Sequence, residues 1–108
     1  MKKLELFDEK QRELANWAKV LSHPARIAIL QYLASCTTCI SGDISDYLPL
    51  SRTTVSQHLK ELKSMGLIKG EVEGLKIRYC LDKDSVETLN SIFNGFIASI
   101  QSKNVESC

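Results

Sequence analysis

Leu50-Ser51-Arg52-Thr53-Thr54-Val55-Ser56-Gln57-His58-Leu59-Lys60-Glu61-Leu62-Lys63 reads as one short helix with two unlike faces. At helical spacing Thr53, Ser56, Gln57, Lys60 and Ser64 share one side, and Val55, Leu59 and Leu62 share the opposite, apolar side. The apolar side must be buried, so the polar side is turned outward. Ser51 is placed to cap the first turn and Arg52 follows it. The helix start therefore offers unpaired N–H groups, the positive end of the dipole and a cation, a combination suited to a phosphate. Gln57 can pair bidentately with an adenine edge, Arg52 with guanine, and the methyl groups of Thr53 and Thr54 can meet a thymine methyl in a major groove. An ordinary solvated amphipathic helix has the same periodicity, so the flanking segments have to decide.

Upstream, Ser41-Gly42-Asp43-Ile44-Ser45-Asp46-Tyr47-Leu48 is expected to form a two-turn helix burying Ile44, Tyr47 and Leu48, stopped by Pro49. A helix, a three-residue break and a second helix make a helix-turn-helix over about residues 41–65. Downstream, Gly66 ends the second helix and two extended segments follow around Gly74. In the second of them Ile77, Tyr79 and Leu81 alternate with Lys76, Arg78 and Cys80, the period of a strand with one buried face. This predicts a β-hairpin wing over about 67–81.

With these elements in place, the chain resembles the ArsR/SmtB family of winged helix-turn-helix repressors from about Leu21 to Leu81. The resemblance is carried by Leu21-Ser22-His23-Pro24-Ala25-Arg26-Ile27-Ala28-Ile29-Leu30, by Ser51 to Leu62, by Met65-Gly66-Leu67-Ile68, and by Glu73-Gly74 with Tyr79. It implies a homodimeric repressor that binds double-stranded operator DNA and releases it on meeting a metal, a metalloid or an oxidant. It implies no catalysis and no required cofactor. On this reading Arg52, Thr53, Thr54, Ser56 and Gln57 read bases, and Ser51, His58, Lys60, Lys63, Lys76 and Arg78 hold phosphates. His23 is read as a helix cap or first-turn residue.

The chain of 108 residues is one domain, 1–108, mostly α-helical with a small hairpin wing. Its formal net charge of +1 is low for a nucleic-acid binder, so the distribution matters more than the sum. Residues 1–50 hold six Lys/Arg against six Asp/Glu, residues 51–78 hold six against three, and residues 79–108 hold two against four. The positive excess falls on the second helix of the motif and the wing. Glu71 and Glu73 flank the wing tip and would repel phosphate, which gives the wing the lesser part in DNA binding. The low charge and acidic wing tip also fit another class, a winged-helix module that binds protein. No stretch is apolar and long enough to span a membrane and no signal peptide is legible, so the expected location is the cytoplasm.

The remaining segments read as scaffold. Phe7, Leu14, Trp17, Ala18 and Leu21 form a helical stripe. Ser22 or His23 can cap a next helix with Pro24 in its first turn and Ile27, Leu30 and Leu33 facing inward. Asp82 can cap a last helix over about 83–101, whose Val86, Leu89, Phe93, Phe96, Ile97 and Ile100 exceed the needs of one small core. The surplus is assigned to a two-fold interface through the terminal helices, formed by Trp17, Leu89, Phe93, Phe96 and Ile97. A purely intramolecular core is the alternative.

Four cysteines, Cys36, Cys39, Cys80 and Cys108, stand in a chain whose expected compartment has no need of structural disulfides. Cys36 and Cys39 form a C-x2-C pair, half of a zinc site with no second half nearby. In winged folds the segment before the helix-turn-helix pairs with the last wing strand, which would bring Cys39 beside Cys80 with Cys36 close by. Three thiolates suit As(III), Sb(III) or another thiophilic ion, and two can instead close a disulfide, Cys36–Cys39 or Cys39–Cys80. Half-buried cysteines that only pack are the third reading. The family's better-known sites are absent: Ile40-Ser41-Gly42-Asp43-Ile44 stands where C-x-C-D-L would, and Asp84-Ser85-Val86 stands where Asp-x-His would, with no later His in that helix. Cys108 is assigned no role.

Overall fold

The computed structural model describes residues 6–36, 40–41 and 44–101. Four α-helices, α1 (Glu9–Val20), α2 (Pro24–Ser35), α3 (Arg52–Ser64) and α4 (Lys83–Ile100), accompany a three-stranded antiparallel sheet of β1 (Ile40–Ser41), β2 (Ile68–Glu73) and β3 (Lys76–Leu81), which packs against α2 and α3. The strand order is β1-β3-β2, with Ile40 opposite Tyr79 and Ile68 opposite Leu81. β2 and β3 make the wing, joined through Gly74, whose φ of +64° a side chain would resist.

Each helix is started by its own sequence. Asp8 caps α1 in a capping box: its carboxylate accepts from the Gln11 N–H at 2.8 Å, and Gln11 Oε1 accepts from the Asp8 N–H at 3.1 Å. His23 caps α2 through Nδ1, with Pro24 at the first helical position. Asp82 caps α4 by accepting from the Ser85 N–H at 3.2 Å. At the far end of α3 the Leu67 N–H returns to the Leu62 carbonyl at 3.1 Å over Gly66, which has φ +81°.

The core is built from Trp17 and Val20 of α1, Ile29 and Leu33 of α2, Ile44, the inner face of α3 (Val55, Leu59, Leu62), and Leu67 and Ile68 at the root of the wing. Three expectations are corrected by this packing. The segment before α3 is a single 3-10 turn, Ile44–Tyr47, that buries Ile44 but leaves Tyr47 exposed and stacked on Tyr32 at 5.1 Å between ring centroids. In α2 Leu33 is buried and Leu30 packs half-buried against the core as expected, but Ile27 is exposed, and Ala25 and Ile29 fill the inner side in its place. Trp17, expected between two copies, is buried within the protomer core.

α1 packs against α4, and α4 has no buried residue along its 18 residues. Leu89, Ile92 and Phe93 lean on the core from outside, while Phe96, Ile97 and Ile100 remain exposed. Between α1 and the outer part of α4 lies an open hollow of about 630 Å³, bordered by Leu14, Ile92 and Phe96 among polar side chains.

Candidate nucleic-acid interface

α3 is anchored on one side and open on the other. Val55, Leu59 and Leu62 are buried, whereas Arg52, Thr53, Ser56, Gln57, Lys60 and Lys63 are exposed. The expected reading face is therefore presented to solvent on a helix fixed from behind. Ser51 caps it, accepting from the Thr54 N–H at 3.2 Å and donating its own hydroxyl to Thr54 Oγ1 at 2.9 Å. Thr54 is half-buried and tied into this cap, so of the expected base readers it is the least available. Ser51→Ala should cost about 1 kcal/mol of stability, the usual worth of such a cap, measurable by urea unfolding.

His58 departs from its expected role. It is 8 % exposed and points inward, where Nδ1 accepts from Arg26 Nε at 3.1 Å. A buried ring on the rear of α3 cannot reach a phosphate in front of it. Burial first, then the neighbouring His23 and Arg26, lower its pKa below the usual histidine value, with Glu61 pulling weakly the other way. Arg26 is the partner that sequence reasoning missed. Its guanidinium also donates from Nη1 to the Val20 carbonyl at 3.2 Å, and nothing in the α2 sequence pairs it with a residue 32 positions away.

On the wing, Arg78 is half-buried and stands opposite Glu71 on β2 and Ser41 on β1, so an acidic neighbour faces it across the ladder. The backbone of Lys76 lies in β3 opposite Glu73. Lys63 leans toward the wing, its Nζ 3.3 Å from where a side chain on Gly70 would begin. Val72 and Leu75 are exposed at the wing tip.

The candidate thiols divide. Cys36 is free and half-buried, and its Sγ donates to the Tyr32 carbonyl at 3.3 Å. Cys80, in β3 opposite Lys69, is disulfide-bonded. Cys39 and Cys108 lie outside the described residues. Among the described residues no three His, Cys, Asp or Glu side chains gather as a metal site. Burial, then Cys36 and Tyr47, raise the Tyr32 phenol above its usual range.

A short turn, a capped helix with an open polar face and a two-stranded wing behind it define a winged helix-turn-helix. Residues 23–69 match the family described as "Bacterial regulatory protein, arsR family". The chain is 33% identical over 79 residues to the arsenical resistance operon repressor of Staphylococcus xylosus, covering 73% of this chain and 75% of that protein. It is 35% identical over 72 residues to the HTH-type transcriptional regulator CmtR of Mycobacterium tuberculosis, covering 67% of this chain; it spans only 60% of that relative's length. The solved structure of HlyU from Vibrio cholerae N16961 superposes with a TM-score of 0.64 at 25% identity, covering 88% of this chain and 100% of that one. The chain belongs to the arsR family of bacterial regulatory proteins. Among the described residues no helix is long and apolar enough to cross a membrane.

Proposed function

We propose that the protein is a homodimeric transcriptional repressor that lays α3 in the major groove of its operator and is released through the thiols at the base of the wing. The observation that carries this reading is the open polar face of a helix immobilised from behind. Arg52, Thr53, Ser56 and Gln57 are its base readers, Thr54 an auxiliary one, and Ser51, Lys60, Lys63, Lys76 and Arg78 its phosphate contacts. Dimerisation is supported by the uncovered apolar side of α4. Two recognition helices related by a two-fold axis would read half-sites about one helical turn apart.

Release through thiols is supported by the bonded state of Cys80 and by the register of β1 on β3. Ile40 faces Tyr79, and Cys80 follows Tyr79 in β3; Cys39, which precedes Ile40 in the sequence, lies outside the described residues. Joining two thiols to a disulfide gives two protons and two electrons to an oxidant; with peroxide the products are the disulfide and two waters. Such a bond would fasten the wing to the segment entering the helix-turn-helix and fix the spacing of the recognition helices. A second reading, release by As(III) or Sb(III), is favoured by the arsenical resistance repressor among the relatives. It would draw on Cys36, Cys39 and Cys80 as thiolates, so a bonded Cys80 has to be reduced first.

The DNA half is tested on duplex from upstream of the protein's own gene. Gln57→Ala should cost about 1–3 kcal/mol on the cognate site and flatten the base preference there. Lys60→Ala should weaken specific and random DNA alike and lower the salt slope by about one. A Gln57→Ala variant that loses both kinds of DNA equally would refute this assignment of the face. Arsenite under full reduction separates the effectors: the metalloid reading requires release there, and the redox reading requires none.

A further inference from the structure

Behind the open face of α3 lies a contact that fixes where the helix stands. Arg26, in the first turn of α2, donates from Nε to His58 Nδ1 at 3.1 Å and from Nη1 to the carbonyl of Val20, the last residue of α1, at 3.2 Å. One guanidinium thereby joins the end of α1, the start of α2 and the middle of α3. His58 directly follows Gln57 and lies two residues before Lys60, so whatever seats His58 sets the rotation of the face that carries both. The His23 ring lies 4.3 Å from the His58 ring, centroid to centroid, and its own Nδ1 accepts from the Ala25 N–H at 3.2 Å.

The contact depends on a lone pair. A guanidinium can only donate and does not lose its proton in a protein, so the acceptor must be a neutral imidazole with an unprotonated Nδ1. A proton added there would set donor against donor and cation against cation in a buried site. The groups facing the ring are His23 and Arg26, from the cap and first turn of α2, and Glu61 from one turn along α3. Lys19, from the end of α1, borders the same hollow as His23, Arg26 and Glu61. Only Glu61 favours the charged form, and it is exposed.

We propose that Arg26 is a positioning residue for DNA reading, acting through His58, and that their contact is a proton-sensitive latch holding α3 in its reading pose. This rests on the proposed operator-binding function and adds a regulation to it. Because the folded state disfavours the proton, the stabilisation is complete above the ordinary histidine range, near pH 6.5, and is lost as pH falls below it. Affinity for operator should therefore fall in acid. A histidine holding a phosphate predicts the opposite sign, since protonation would strengthen that contact.

The test uses the full chain, kept reduced with dithiothreitol, on cognate and random duplex between pH 8 and pH 5.5 at constant salt, with an NMR titration of the DNA-free protein beside it. Wild-type affinity for the cognate site should begin to fall below the ordinary histidine range and go on to lose about tenfold for each unit of pH below the His58 midpoint. His58→Gln supplies a carbonyl acceptor that does not titrate, and it should keep binding and flatten this profile relative to the same protein on random DNA. The His58 ring should titrate below the ordinary range, α3 amide signals should move with the same midpoint, and Arg26→Met, which removes the neighbouring cation, should raise that midpoint. A wild-type affinity that is flat or rises in acid, a His58→Gln profile as steep as wild type, or a His58 midpoint at or above the ordinary range would each overturn the latch. The NMR titration needs no DNA and judges the latch alone, whereas a wild-type protein that binds no duplex at pH 8 would sink the repressor reading.

Discussion

Ile97→Glu is expected to leave a folded monomer whose operator affinity is lower by about 10²- to 10⁴-fold, the gain that a second linked binding site confers. Ile97 is 44 % exposed on α4, beside Phe96 and Ile100, and no residue of that helix is buried in the protomer. The substitution therefore removes nothing from the core, which α4 touches through Leu89, Ile92 and Phe93. Across a two-fold interface, however, each copy would bring an unpartnered carboxylate into an apolar contact, and desolvating it would oppose association. Sedimentation should show the monomer mass with helical circular dichroism unchanged. A variant that stays dimeric would place the interface elsewhere.

Leu62→Ala should lower stability by about 2–5 kcal/mol, the range for truncating a fully buried leucine. Leu62 is 0 % exposed on the inner face of α3, in one cluster with Ile29 of α2, Ile44 of the 3-10 turn and Ile68 of the wing. A cavity there loosens every element that seats the recognition helix, out of a total stability of only about 5–15 kcal/mol. Lys60→Ala, on the exposed face of the same helix, should change stability by no more than about 0.5 kcal/mol while weakening DNA binding. Urea unfolding of the two variants checks this division of α3 into a structural and a reading side; equal losses would contradict it.

How far the sequence could be read follows from which signals are local. The caps, Ser51, Asp82 and His23 with Pro24, act within three residues of themselves, and the structure places each where its spacing indicates. The inner and outer faces of α3 were equally legible, because thirteen residues of clean periodicity leave one way to bury Val55, Leu59 and Leu62. His58 was misread although its spacing was informative: three residues after Val55 and four before Leu62, it falls on the buried side of the same helix, and only its partner Arg26, from another helix, lay beyond local reading. The 3-10 turn escaped because Ile44 is buried and Leu48 reaches the core half-buried just past the turn, so nothing demands a second buried turn to present Tyr47. Trp17 carries no mark of whether its partners are intramolecular or a second copy, since both bury the same surface. Cys80's bond is nonlocal too, and its candidate partner Cys39 lies outside the described residues.

One measurement bears most directly on the proposed repressor and its thiol control: operator affinity, read by fluorescence anisotropy on the DNA upstream of the protein's own gene, first under dithiothreitol and then after stoichiometric peroxide, for wild type and Cys80→Ser. Reduced wild type should bind that DNA in preference to random duplex and let go on oxidation, and Cys80→Ser should bind and hold in both states. Binding by wild type that is the same in both states, or a Cys80→Ser variant released as readily as wild type, would contradict control through this thiol. Failure of the reduced protein to prefer its own upstream DNA would contradict the assignment of α3 as the reading helix of an operator-binding repressor.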